Sequence, residues 1–433
     1  MQVIDLGEDW SIRPDRPDHA RRRSAPRLVG LLAAAVLLTL LAGGSAVPQP
    51  SLVPIRLLAV GGSVNFQLTD DRVFTVRSQD GSPVVITAYR VTNGARLWQT
   101  TLNAGKEVLQ PVPGAGVLLV WGGTSLTVLD VGTGQIRWQR AGVTGVEFLP
   151  DNQRMLLVSE DAGLQLLTIE SGQPDWSRQV SAGTNVTVAL DSAGQHTLGW
   201  VVNWEPDGTI RILDEASGQT LRTGKLPASI GDPARSPEAV LGIDRLVLTF
   251  ITAGDGTVIT AYDSATLART WQATIPEPSV RFGRCGPMIC VGGTNLTAID
   301  PATGSIRWRA DTWAGAIWLP DTIPDGVLIV TGYRGSERLT LIEARSGKAH
   351  PIPGRWIPIS DGPAGNLFAG YQVGRIGAWL GVLHQRTNTV RSVAWLPDVV
   401  RDQCQASTPE QTYLVCTTIH GAIQIWRYTP PIT

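Results

Sequence analysis

The residues that could do chemistry in this 433-residue chain are few and scattered. Its four cysteines form two pairs, Cys285 with Cys290 and Cys404 with Cys416. CGPMIC has a Gly-Pro turn with a cysteine at each shoulder, and Cys404 and Cys416 flank the longer loop QASTPEQTYLV, so each pair brackets a hairpin. Local pairs at what reads as one recurring place predict two disulfides in an oxidising compartment. Redox or metal chemistry is the alternative reading. The spacings, without a nearby histidine, suit neither structural zinc nor a C-x-x-C centre. The histidines, His19, His196, His350, His384 and His420, are dispersed and form no H-E-x-x-H. No nucleophile turn G-x-S-x-G and no phosphate loop G-x-x-x-x-G-K-[ST] occurs. The expectation is therefore no catalytic, cofactor-binding or metal residue and no enzyme, although side chains from several strands could still converge on an axis.

Composition narrows the elements that carry these residues. Charged residues are 17% and hydrophobic ones 43%, which excludes a disordered polyelectrolyte, and 47 Gly with 29 Pro punctuate many short strands. The formal charge of −1 offers no field for nucleic acid. From Leu28 to Val47 the chain reads LVGLLAAAVLLTLLAGGSAV without a charge, long enough as a helix to span the hydrocarbon core. Arg13, Arg16, Arg21, Arg22, Arg23 and Arg27 precede it while only Arg56 lies in the window that follows, so residues 1–27 are expected in the cytoplasm and the rest outside. A cleaved signal peptide is the competing reading, given Gly44, Ala46 and Pro48, but the polar leader and the apolar run are both long for one.

Beyond the span, a hairpin recurs: an alternating apolar strand, a turn rich in Gly, Thr and Ser, then a strand that most often carries Trp. The hairpins end at Trp98, Trp138, Trp176, Arg222, Trp271, Trp308 and Pro351, spacings of 37 to 49 residues, the length of a four-stranded propeller blade. Period-two alternation and turn glycines argue for all-β structure. Counted literally there are eight full units and a composite ninth, with Ile55–Val60 supplying the strand missing from the last. Because propellers ordinarily have four to eight blades, eight are expected, one unit being misdivided, with seven as the alternative. The resulting organisation is a tail over 1–27, a transmembrane helix over 28–47, a linker over 48–54, the propeller over 55–428 and a short tail over 429–433.

DVGTGQIRW (Asp130 to Trp138) and DPATGSIRW (Asp300 to Trp308) resemble the D-x-x-T-G-x-x-x-W signature of pyrroloquinoline-quinone-like propeller repeats, with Gly94/Trp98 and Gly172/Trp176 as partial matches. Gly218 and Gly347 lack the Trp of the pattern, and Trp271 lacks the Gly. The repeated Trp98, Trp138, Trp176, Trp271 and Trp308 are expected to pack in the seams between blades, since one recurrence per blade is what packing requires and a single pocket does not. A quinone-dependent dehydrogenase of this family would imply an adjacent Cys-Cys pair, and none occurs. Trp200 and Trp204 share one face of a strand and are expected to be buried together, an exposed binding surface being the alternative. The functional expectation is a membrane-anchored, monomeric, extracytoplasmic propeller that binds or scaffolds a protein, envelope polymer or small ligand, with no cofactor. A degenerate quinoprotein dehydrogenase or other propeller enzyme is the alternative.

Overall fold

A computed structural model describes residues 51–429 apart from internal segments, the longest being 227–238, 318–325, 360–366 and 332–337. The tail and the transmembrane helix expected over residues 1–47 lie outside the described residues. Among those described, no helix is long and apolar enough to cross a membrane.

The described chain is all strand but for one three-residue 3₁₀ turn, Pro113–Ala115. The strands group in fours. In the second unit, Val108–Val112, Val117–Gly122, Ser125–Asp130 and Ile136–Arg140 pair antiparallel in chain order. The two middle strands are buried along most of their length, because neighbouring units cover both faces, which is why LLV and LTVL read as continuous apolar runs. The fourth strand, with one neighbour only, is exposed or half-buried throughout and carries polar residues.

Seven four-stranded sheets and one eight-stranded sheet result, the latter formed where the fourth and fifth units join through parallel pairing of Ala189 with Gly242 and Leu190 with Ile243. The described residues thus form nine four-stranded units, spanning 65–102, 108–140, 143–178, 185–225, 239–275, 281–310, 315–352, 356–397 and 399–429. The ninth takes its outermost strand from the N-terminus, as Ser51–Leu58 pairs with Ile423–Thr429. That strand begins inside the stretch read as linker.

Nine apolar clusters each straddle two successive units, and one of them, holding Phe66 and Val73 of the first unit with Val415 and Ile425 of the ninth, closes the ring. Eight blades, or seven, is therefore corrected to nine. The customary size range had overridden the literal repeat count. The eighth unit is the faintest in sequence because its first two strands, Trp356–Pro358 and Leu367–Gly370, are only three and four residues long.

Candidate functional site

The repeated tryptophans lie across the seams. Each donates its indole N–H to a backbone carbonyl at the turn of the following unit: Trp98 to Val131 at 2.8 Å, Trp138 to Ile169 at 2.9 Å, Trp176 to Glu215 at 2.7 Å, Trp271 to Pro301 at 2.8 Å and Trp308 to Ala344 at 2.7 Å. The same rings lie on the turn glycines of that next unit: Trp98 on Gly134, Trp138 on Gly172, Trp176 on Gly218, Trp271 on Gly304 and Trp308 on Gly347. These glycines have positive φ, and the space a Cβ would take is filled by the indole.

Partners in the repeat thus belong to successive units, and this resolves its irregularities. Gly218 and Gly347 lack a Trp in their own hairpins yet receive one from the unit before. Where the fourth unit has Arg222 in place of Trp, the fifth has Leu267 in place of Gly, at φ 56°, and Arg222 Nε donates to Ala265 O at 2.8 Å. The ninth unit presents Arg56 and Leu58 to Gly94 of the first.

The turn aspartates hold their own hairpins. Asp130 Oδ1 accepts from the Thr133 amide at 2.8 Å and hydroxyl at 3.0 Å, while Oδ2 accepts from Arg137 Nε at 3.2 Å and Nη2 at 2.6 Å. The Arg137 guanidinium holds the Asp130 carboxyl down at about 2. Asp300 pairs with Arg307 in the same way, and Glu343 with His350 at 2.9 Å. The arginine before Trp138 and Trp308 is thus part of the turn, a role the sequence reading missed although IRW stands in both full copies.

Cys285–Cys290 and Cys404–Cys416 are disulfides, and each joins the first two strands of its unit, the sixth and the ninth. Around Cys404 the pairing is irregular: Val399 pairs with Thr418 and Cys404 with Cys416, so three extra residues bulge from the inner strand. Beyond the bulge, Gln405 imitates a strand neighbour, its Oε1 accepting from Leu68 N at 2.8 Å and its Nε2 donating to Phe66 O at 3.1 Å. At this junction of the ninth, first and second units lies a cavity of ≈ 290 Å³ lined by Asn65, Gln67, Val108, Asp402, Gln403 and Thr417, among others.

Elsewhere the sequence candidates serve the fold. Trp200 and Trp204 both pack against the apolar seam of the fourth and fifth units. On the inner strand of the third unit, burial pushes the Glu147 carboxyl above its usual range, partly offset by bonds from the Val188 amide and the Thr187 hydroxyl. A second cavity, of ≈ 800 Å³, opens where Pro351 replaces the seam Trp. Among the described residues no three His, Cys, Asp or Glu side chains gather as a metal site.

Residues 82–279, somewhat under half of the chain, match the family described as outer membrane protein assembly factor BamB. The chain is a propeller of pyrroloquinoline-quinone-like repeats. No curated protein matches it significantly. Among solved structures, a eukaryotic initiation factor is similar at 14% identity and a TM-score of 0.51, over 83% of this chain and 96% of that one. The BamB of Moraxella catarrhalis is similar at 13% identity and a TM-score of 0.39, over 88% and 99%. The computationally designed Ika8 protein gives 15% and 0.46, over 76% and 99%. At these identities the likeness concerns the fold alone.

Proposed function

We propose that this propeller is a non-catalytic protein-binding or scaffold module, anchored in a membrane by residues 28–47 and held on the extracytoplasmic side. The match of residues 82–279 to an assembly-factor family carries the binding role. The repeated residues support it, since the tryptophans, glycines and aspartates of the motif are all engaged in seams and turns. Six arginines before the apolar run against one after it support the sidedness, and two disulfides suit an oxidising exterior.

Affinity capture of the intact chain from detergent-solubilised membranes is expected to retain a membrane or envelope protein in fixed stoichiometry. Quinone-dependent alcohol or sugar oxidation that survives purification would replace the scaffold by an enzyme. Protease added to spheroplasts is expected to degrade the propeller and spare the tail, and a propeller protected until lysis would reverse the topology.

A further inference from the structure

The cavity at the junction of the ninth, first and second units holds polar groups that the fold does not use. Asn65, Gln67, Asp402 and Gln403 line it, and among the described residues none of these four side chains meets a hydrogen-bond or ionic partner. Thr417, 6% exposed, also lines it, and its buried hydroxyl has no partner among the described residues. A buried hydroxyl without a bond costs free energy, so its retention beside an open cavity points to a ligand.

The walls state the chemistry of that ligand. One carboxylate, four amide side chains and one threonine line the space, and the carboxylate is the one charged group among the described residues that do so. Val108, 66% exposed, offers an aliphatic surface at the rim, while the aromatic ring present, Phe66, is buried at 7% and gives no stacking platform for a sugar. Several acceptors around a single negative charge, with an apolar patch beside them, suit a planar cation with many donors on an aliphatic stem. A volume of ≈ 290 Å³ suits a side chain with its neighbouring backbone rather than a helix or a polymer.

The site is also fixed in advance. Asp402 and Gln403 stand on the three-residue bulge, which the Cys404–Cys416 disulfide fastens to the second strand of the unit and Gln405 fastens to the first unit. Such fastening lowers the ordering cost of binding. We infer that this cavity receives an arginine side chain presented by a partner protein, an assignment that rests on the protein-binding reading of the propeller.

The test titrates N-acetyl-arginine amide, N-acetyl-lysine amide and maltose into the intact chain in detergent, by calorimetry. Saturable binding of the arginine compound is expected, tighter than the lysine compound, about tenfold weaker in Asp402→Asn and several-fold weaker in Thr417→Val. Asn65→Ala/Gln403→Ala, both at exposed positions, provides a second variant if Thr417→Val does not fold, and is also expected to weaken binding. Absence of saturation, indifference to Asp402→Asn, or preference for maltose would overturn the assignment. A chain that captures a stoichiometric partner from membranes but fails this titration loses the arginine pocket alone. A chain that captures none loses the protein-binding reading itself.

Discussion

Replacing Gly304 by Ala measures what a seam contributes. Gly304 sits at φ +71°, where an L-residue costs about 1 to 2 kcal/mol. A Cβ there would lie 2.5 Å from Trp271 Cε3 and 2.6 Å from Cδ2, about 1 Å inside ordinary carbon contact. The indole must therefore shift, and its 2.8 Å bond to Pro301 O goes with it. Overpacking of this kind adds about 1 to 3 kcal/mol, giving about 2 to 5 kcal/mol in all. Gly123 is the control, with φ +59° and nothing within 4 Å of its Cβ, so Gly123→Ala should cost only the backbone share, about 1 to 2 kcal/mol. Trp271→Ala alone should cost about 3 to 5 kcal/mol, and in that background Gly304→Ala should fall to the cost of the control. Denaturant midpoints followed by far-UV circular dichroism on the four variants read this coupling. Equal losses for Gly304→Ala and Gly123→Ala, or strict additivity with Trp271→Ala, would refute the cross-seam pairing of Trp with Gly.

Other outcomes follow from single groups. Burial raises the folded-state pKa of Glu147 above the unfolded value of 4.5, so its contribution is fully present below that pH and is lost as pH rises through the folded value. Glu147→Gln should thus gain stability over wild type at pH 8 but not at pH 4, read by thermal melts. Asp130 has the opposite sign: depressed from 3.8 to about 2, it stabilises above pH 4 and loses that effect as pH falls toward 2, a dependence that Asp130→Asn should reduce. Non-reduced peptide mapping should find Cys285 joined to Cys290 and Cys404 to Cys416, and breaking them should cost roughly 2 and 3 kcal/mol on the chain-entropy model. Crossed pairs or free thiols would contradict the hairpin placement.

What the sequence determined by itself is local. The short apolar runs of VLLVWG and SLTVLD, the turn that follows Asp130 and the composite last unit all follow from local pattern and turn chemistry, since strand composition and left-handed turn residues are set by a few neighbouring positions. The disulfides were legible for the same reason, as each bridges a single hairpin. Tertiary structure alone decided which unit a residue serves. That Trp176 belongs to Gly218, and that Arg222 and Leu267 replace Trp and Gly together, cannot be read within one hairpin because the partners lie in different units. The blade number was likewise decided by closure, for a ring is complete only when the last apolar face meets the first, as Ile425 meets Phe66. The cavity beside Thr417 depends on three units converging and on a bulge whose register no strand pattern announces. Spacing along the chain encodes each hairpin, whereas the site is made from residues more than 300 positions apart, brought together because the N-terminal strand completes the final sheet.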